Sequence, residues 1–557
     1  MRRRLLAGTT AFAALTGVVL VLPVYAEPSP EAVPVETSVE EVAMGSFSDP
    51  APEAQVQEGT TDPVAGVPDT VPTLSVSATD VAEFSLVGVT WAYDAAVTDT
   101  VVQVRVRDLD GAWGAWTEVS AEAAEQEAET DTGHPVRGGT APLWTGPATA
   151  VEAELVTRSG AQPTDVQLDL VDPGESAADA SLGDPDITET ADAAVAMPPV
   201  FSRAQWGADE NLMKWTPQYA STIKAATLHH TAGSNNYTAD QVPGILRSTY
   251  TYHAQSLGWG DIGYNVLVDR YGTVFEGRAG GLARSVIAAH AGGFIRETFG
   301  IGMMGDFTSV APPAATIEAT AQLAAYKLGG LYRDPNATVT LTSAGGGTSR
   351  YPKGRAVTLP TVFAHRDVGA TECPGNTGIR SMPTIRSRTA ALVGNLATYP
   401  IRQKWLAQRS VLAEPSVVES PTSRSARVTR FSGSNGAVYW SSATGAWSVQ
   451  GVINSRYDAL GAAGSVLGLP RTDEKATPDG RGRYNQFQSG VVYWTSATGA
   501  WPVRGPILTR WAQLGSERSS LGYPKGDQFA VTGGVRQNFE RGYLRLNTSS
   551  GAVTTNA

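Results

Sequence analysis

The chain has 557 residues, of which 42% are hydrophobic and 17% charged, with one cysteine, six histidines and a formal net charge of −12. That length predicts three or four domains, and one cysteine excludes an internal disulfide framework. Charge is unevenly spread: residues 27–200 carry 33 acidic and 4 basic side chains, and residues 201–557 carry 21 acidic and 35 basic. An acidic arm therefore precedes a basic remainder, a balance suited to an anionic target.

Arg2-Arg3-Arg4, the apolar run Leu5–Leu22 and Val24-Tyr25-Ala26 predict an export signal over residues 1–26, cleaved after Ala26; an uncleaved membrane anchor is the alternative. No later stretch has the roughly 18 apolar residues that span a bilayer. A secreted or wall-associated protein is expected, with no transmembrane span after cleavage.

Residues 27–71, rich in Pro, Glu, Val and Ala, predict a disordered tether. Phe84–Trp91, Thr100–Arg107, Val151–Thr157 and Val166–Val171 alternate apolar and polar side chains, with a turn signal at Asp110-Gly111. They predict a small all-β domain over 72–173, a sandwich. His134 is expected to be a solvated loop histidine, and residues 174–198 an Ala/Asp/Glu-rich linker.

The next domain is expected over 199–396. Thr238 is placed to cap a helix running through Val242, Ile245, Leu246 and Thr249 to His253. Tyr264–Val268 and Thr273–Phe275 predict a hairpin around Arg270-Tyr271-Gly272, and Ala314–Leu331 a second helix. Strands alternating with helices make this an α/β domain. Gly345-Gly346-Gly347 marks a flexible insertion.

Residues 397–557 are repetitive. Val438–Trp447 recurs as Val492–Trp501, and Leu467-Gly-Leu-Pro470 as Leu521-Gly-Tyr-Pro524. A worn copy precedes them around Trp405 and Ser410–Pro415, and a partial copy ends the chain at Tyr543–Leu546.

Five of the six histidines and the cysteine lie between Thr227 and Cys373. Thr227-Leu228-His229-His230 reads as the end of a strand, where neighbouring side chains point to opposite faces, so one histidine of the pair faces a given site. His365 and Cys373, with a Gly-containing loop between them and Pro374 beyond, are spaced for a turn to bring both to one ion. Imidazole and thiolate suit zinc, whose catalytic sites keep three protein ligands and an open fourth position. A bound thiolate also accounts for a lone cysteine in an exported chain.

Several motifs stand in order: Ser-Arg-Ala-Gln-Trp-Gly-Ala (202–208), Leu-His-His-Thr (228–231), Gly-Trp-Gly-Asp-Ile-Gly-Tyr-Asn (258–265), Gly-Thr-Val-Phe-Glu-Gly-Arg (272–278), Ala-His-Ala-Gly-Gly (289–293) and His-Arg-Asp-Val-Gly-Ala-Thr-Glu-Cys-Pro-Gly (365–375). On these the central domain resembles the peptidoglycan-recognition and phage-lysozyme-type amidases, zinc N-acetylmuramoyl-L-alanine amidases. The resemblance implies zinc ligands His229, His365 and Cys373, a catalytic Tyr264, and Thr371 beside it as a second donor. It implies substrate contacts at His253, Arg278 and His290, and Ile295 departs from the asparagine common in relatives. The C-terminal units resemble the LGFP repeats of actinobacterial exported proteins, which implies attachment to envelope polysaccharide; their net charge of +9 over 401–557 suits anionic wall polymers.

The expectation is thus a multidomain chain: an α/β zinc amidase domain with a mixed sheet flanked by helices, preceded by a small all-β sandwich and followed by short β-rich repeats. One Zn2+ and a peptidoglycan substrate are expected, with no nucleic-acid partner. A catalytically silent peptidoglycan-binding protein is the first alternative. A glycan-cleaving enzyme is the second, and it needs two paired carboxylates.

Overall fold

The computed structural model describes residues 33–122, 136–188, 194–214, 216–346 and 348–556. The export signal expected at 1–26 and His134 lie outside them. Among the described residues, no helix is long and apolar enough to cross a membrane.

The N-terminal domain is all antiparallel β. Its strands are β1 (Ser38–Gly45), β2 (Ala54–Glu58), β3 (Pro72–Ala78), β4 (Phe84–Ala92), β5 (Val97–Asp108), β6 (Thr117–Val119), β7 (Ala121–Glu122), β8 (Arg137–Thr140), β9 (Leu143–Gly160) and β10 (Val166–Asp172). The long β9 pairs with β4 near its start and with β3 and β5 further on. This bend wraps the sheet over Leu74, Val89, Val102, Val104 and Leu155.

Strands β1 and β2 correct the expectation of a disordered tether over 27–71. β1 runs antiparallel to β10 and buries Val42 and Met44. Gln57 and Thr61 are fixed by the buried carboxylate of Glu154, which accepts from Gln57 Nε2 at 3.0 Å and Thr61 N at 2.9 Å. Surrounding Pro and Glu mask a short alternation that gains its stability from a partner far along the chain.

The central domain has a six-stranded mixed sheet in the order β11–β14–β13–β15–β12–β18. Its strands are β11 (Val200–Phe201), β12 (Ala225–His230), β13 (Val266–Val268), β14 (Val274–Glu276), β15 (Thr298–Met303) and β18 (Val362–Ala364). The β13–β14 pair is the antiparallel hairpin expected around Arg270–Gly272, and the other pairings are parallel. Strand alternation divides the side chains between two cores. Leu228, Val266, Val268 and Ile301 meet α2 (Ala314–Gly330) and α3 (Asn376–Val393), while Tyr264, Leu267 and Phe275 meet α1 (Val242–Thr251).

Helix α1 begins after Thr238, whose N–H donates to Gln241 Oε1 at 2.9 Å, and continues as a π-turn over Tyr252–Ser256. Its outer face is covered by the β domain: Leu86, Trp144 and Val171 share one core with Leu246, Tyr250 and Tyr252. Gly88 permits this approach, because a Cβ there would stand 2.0 Å from the Tyr252 ring. Tyr252 Oη donates to Thr140 O at 2.9 Å across the same junction.

One further expectation is corrected. The described part of the 174–198 linker is a docked strap, not a free connection. Arg247 is buried on α1 and requires a counter-charge, which Asp179 supplies at 2.7 Å. The insertion at 345–347, of which Gly347 lies outside the described residues, connects the antiparallel strands β16 (Thr338–Thr342) and β17 (Ala356–Pro360), and Ala344 N donates to Gly293 O at 2.8 Å.

The C-terminal part holds three complete units, each a helix followed by a four-stranded antiparallel sheet. The first runs from α4 (Pro400–Ala407) and α5 (Arg409–Leu412) to β19–β22 (Ser420–Thr422, Ala426–Arg430, Ala437–Ser441, Gly445–Val449). The second joins α6 (Gly451–Ala459) to β23–β26 (Lys475–Ala476, Gly482–Phe487, Gly490–Thr495, Gly499–Val503). The third joins α7 (Gly505–Gln513) to β27–β30 (Phe529–Val531, Gly534–Phe539, Gly542–Asn547, Val553–Asn556). The worn copy supplies the helices of the first unit and the partial copy strand β29 of the third. A helix aromatic packs on a phenylalanine at a strand end in each: Trp405 on Phe431 just beyond β20, Tyr457 on Phe487 and Trp511 on Phe539. The first unit is seated on the central domain, where Tyr332 Oη donates to the buried carboxylate of Glu419 at 2.7 Å.

Candidate metal centre

The site forms where β12 and β18 end side by side. β12 lies between β15 and β18, and its alternation turns His229 toward the α1 face and His230 toward the α2 face. His230 Nδ1 accepts from Phe307 N at 3.2 Å and stands 3.4 Å from Asp306 Oδ1. His365 opens the short turn after β18. The loop beyond it returns so that Arg366 N donates to Cys373 O at 2.9 Å, which brings Cys373 back beside His365.

One ligand atom from each of His229, His365 and Cys373 lies within 4.8 Å of the others. All three residues are buried, at 1–3% exposure. Cys373 Sγ stands 3.7 Å from His229 Nδ1. Zinc–nitrogen and zinc–sulfur bonds at a tetrahedral angle put such a pair ~3.6 Å apart, so the donors fit one zinc ion in both type and spacing. His230 N also donates to Cys373 Sγ at 3.3 Å, which suits a thiolate.

The tautomer of His229 follows from its hydrogen bonds. Thr298 Oγ1 gives its single proton to Phe294 O at 2.5 Å, so it acts as acceptor toward His290 Nε2 at 3.3 Å. His290 Nδ1 then accepts, and His229 Nε2–H donates to it at 3.0 Å. This leaves the His229 Nδ1 lone pair facing Cys373. Burial, with His365 beside them, holds both rings neutral: His229 is pushed well below the usual histidine value and His290 down to about 3. A neutral imidazole whose second nitrogen is hydrogen-bonded is an oriented metal ligand.

Tyr264 packs its ring 5.4 Å from that of His229. Thr371 is partly exposed, and its Oγ1 accepts from Cys373 N at 3.1 Å, so its hydroxyl proton stays available to an incoming oxygen. Two carboxylates near the centre in sequence are committed elsewhere. Asp367 Oδ2 accepts from Ala364 N at 2.9 Å, and Glu372 lies on the surface with Arg366 at 3.3 Å.

The three residues expected to contact substrate are buried supports, which corrects that expectation. His290 stands behind His229. His253, pushed down to about 3 by burial and the Arg278 charge, stacks on Trp259 at 4.6 Å behind Tyr264. Arg278 donates to Ile262 O at 3.1 Å and Trp259 O at 3.0 Å, bracing the turn that carries Tyr264. All three are buried, at 0–5% exposure. Ile295 is buried as well.

Sequence reasoning missed the glycines that make room for the rings. A Cβ on Gly300 would stand 2.4 Å from His290 Cγ, one on Gly302 3.0 Å from Tyr264 Cγ, and one on Gly369 2.8 Å from His365 Nε2. The available signal was Gly300-Ile301-Gly302 in an otherwise apolar strand, since alternate glycines mark close approach on one face.

Fold and site together define an α/β domain with a buried group of two histidines and a cysteine at the strand ends, whose donor atoms could hold one metal ion. The model of the N-acetylmuramoyl-L-alanine amidase family matches residues 219–376. The LGFP repeat model matches 415–465 and 467–519, and the Rv3811 N-terminal galactose-binding domain-like model matches 44–179. Peptidoglycan-recognition protein SC1a of Drosophila melanogaster is 33% identical over 176 residues, which cover 32% of this chain and 80% of the relative. Peptidoglycan recognition protein 1 of Bos taurus is 30% identical over 138 residues, covering 25% and 70% respectively. Among solved structures, Drosophila PGRP-LB shares 24% identity over 33% of this chain and 92% of its own, with a TM-score of 0.26. The chain belongs to the peptidoglycan-recognition and N-acetylmuramoyl-L-alanine amidase family, and it carries LGFP repeats at its C-terminal end.

Proposed function

We propose that the protein is a zinc-dependent N-acetylmuramoyl-L-alanine amidase that hydrolyses the lactyl–L-alanine amide of peptidoglycan. The observation that carries this reading is the convergence of His229, His365 and Cys373 beside the Tyr264 ring. A catalytic rather than silent site is supported by Tyr264 and Cys373 occurring together, because the site would then have both its third ligand and its oxyanion donor.

When bound, zinc supplies a Lewis acid that polarises the amide carbonyl and lowers the pKa of water toward about 7. The remaining work falls to the chain. Burial and the Thr298–His290–His229 hydrogen bonds hold His229 neutral with Nδ1 presented. Cys373 is held as a thiolate-competent donor by the His230 N–H. The Tyr264 hydroxyl and Thr371 Oγ1–H donate to the carbonyl oxygen as it gains charge on passing to the tetrahedral state. Such preorganised donors contribute more in the transition state than in the ground state.

We further propose that the protein acts outside the cell, held at the envelope by its repeats. Their cation–aromatic pairs, Lys404 over Trp447 at 4.7 Å and Arg456 over Trp501 at 5.0 Å, recur in successive units, with Lys404 also paired to Asp473 and Arg456 to Asp527, so the repeated feature offered to a polysaccharide is the half-buried tryptophan ring.

The test is digestion of purified peptidoglycan followed by mass spectrometry. Free stem peptides beginning with alanine are expected, abolished by chelator and restored by zinc. Binding without release would make the protein a recognition module, and new reducing ends would make it a glycan hydrolase.

A further inference from the structure

The repeat units share one plan, but their two junctions differ. In the first unit Phe431 N donates to Gly436 O at 2.9 Å, closing a turn whose inner residues are 432–435. In the second the corresponding pair is Phe487 and Gly490, with only 488–489 between them. The longer turn closes over α6: Asn435 Nδ2 donates to Ser455 Oγ at 2.9 Å, and the buried Asn454 donates to Asn435 O at 3.0 Å. At the same two positions α7 carries Leu508 and Thr509. The shorter turn leaves a cleft of about 600 Å³ above them, lined by Arg471, Gln486, Gln488, Ser489, Leu508 and Thr509. Its volume is that of a small-ligand site. The first junction has its own turn in this place, so among the described residues the cleft belongs to the second junction.

We propose that this cleft between the second and third repeat units binds an anionic sugar unit, a sugar bearing a carboxylate or a phosphate. The site deepens the reading that the repeats hold an envelope polysaccharide, and it rests on that reading. Its chemistry comes from the lining. Phe487 and Val491 are buried and Leu508 is half-buried, which gives the face of a sugar ring an apolar floor. Gln488 Oε1 accepts from Leu469 N at 2.9 Å, so its amide nitrogen is left to donate. With the Gln486 amide and the hydroxyls of Ser489 and Thr509, it matches the donors and acceptors of sugar hydroxyls. Charge selects the anion. Arg471 is exposed and makes no ion pair with another described residue. Arg504 stands beside the turn, its Cβ 3.1 Å from where a Cβ on Gly490 would lie. No carboxylate belongs to the described lining. The acids next along the chain, Asp473 and Glu474, face Lys404 at 2.9 Å and Arg483 at 3.9 Å. A guanidinium takes carboxylate and phosphate alike through its planar donors.

The wall that carries Arg471 is fixed. Arg471 N donates to Gln486 O at 2.8 Å, and the buried Asn485 donates to Thr472 O at 3.0 Å, so this segment is held against β24. A preorganised wall lowers the ordering cost of binding.

The experiment uses the full-length protein and soluble probes: trigalacturonic acid, N-acetylglucosamine 1-phosphate, neutral maltotriose and tetraglutamate. Arg471→Glu reverses the charge at the cleft. A second variant replaces 488–489 with the Ser-Gly-Ser-Asn of the first unit and adds Leu508→Asn, so that the turn covers α7 as its counterpart covers α6. Calorimetric titration is expected to show saturable binding of at least one anionic sugar to the wild type. That binding should weaken about tenfold in R471E and be lost in the graft, and maltotriose should not bind. Which anionic sugar binds separates a carboxylated polymer from a phosphorylated one. If the graft lowers the Tm of the repeats, R471E alone decides. Absence of binding by both anionic sugars, equal binding to wild type and R471E, or equal affinity for maltotriose or tetraglutamate overturns the inference. Co-sedimentation with protein-free bacterial cell walls separates the cleft from attachment to the envelope. Walls that retain wild type and R471E equally, with no sugar bound, would sink the cleft and leave the attachment. Sugar binding lost in R471E, in a protein that walls do not retain, would sink the attachment and leave the cleft.

Discussion

Gly300→Ala places one methyl group directly behind the metal centre. The new Cβ would lie 2.4 Å from His290 Cγ, against the ~3.5–4.0 Å at which carbon atoms rest in contact. Something must move by about 1 Å, and β15 is held between β13 and β12, so the ring gives way. His290 is fixed at both nitrogens, 3.0 Å from His229 Nε2 and 3.3 Å from Thr298 Oγ1. Overpacking costs about 1–3 kcal/mol, and a buried His229 N–H left without its acceptor costs about 1–3 kcal/mol more. Loss of the group that orients a metal ligand lowers metal affinity by about 10–100-fold. The assay is competition with a chromophoric zinc chelator, run beside thermal denaturation of the apoprotein. Gly526→Ala serves as control, since a Cβ there meets nothing within 4 Å. Zinc affinity within twofold of wild type, with an unchanged Tm, would refute the account of His290 as the support of His229.

Further outcomes follow from the same geometry. Tyr264→Phe should lower kcat by about 10²–10³ while zinc content by atomic absorption stays near one per chain; a fall in zinc content would mean that the phenol is structural. Cys373→Ser should leave the purified protein without stoichiometric zinc, and full retention of metal would remove Cys373 from the ligand set. Asp169, buried between Thr90 of the β domain and Ser256 beyond α1, is pushed up to about 6, mainly by desolvation. The folded state thus holds this proton more tightly than the unfolded state, so the contribution of Asp169 to stability falls as pH rises from about 4 to about 6. Asp169→Asn should abolish that increment, seen as a smaller Tm difference between pH 4 and pH 7 than in wild type. Trp511→Ala, which removes a fully buried ring packed on Phe539 at 5.4 Å, should cost about 3–5 kcal/mol. The loss should be confined to the third unit and read as a separate early transition in calorimetry.

The donor residues that the fold brings together, His229, His365 and Cys373, were legible in the sequence because each announces its chemistry by residue type. A histidine at a strand end and a histidine and cysteine around a tight turn have few other uses when gathered in one segment, and strand alternation already reduced the pair His229-His230 to one ligand. The β domain, the central helices and the repeat period were legible for a similar reason: each is written in a local pattern of two or of 3.6 residues. What local patterns do not carry is the identity of distant neighbours. Burial of His253, Arg278 and His290 depends on which loops close over them, and motif membership alone suggested a groove.

Strand β1 looked like tether because its stabilising partner, β10, lies more than a hundred residues away. The period of the repeats was legible, but which sheet each helix packs against was not, because a helix adjoins sheets on both sides of it in the sequence. By itself the sequence determined the donor set, the domain classes and an acidic arm before a basic body. Tertiary structure alone decided which nitrogen of His229 is presented, that glycines at 300, 302 and 369 make room for the rings, and that the β domain covers the outer face of α1. Those are matters of distance between residues far apart in the chain, and distance is fixed by packing.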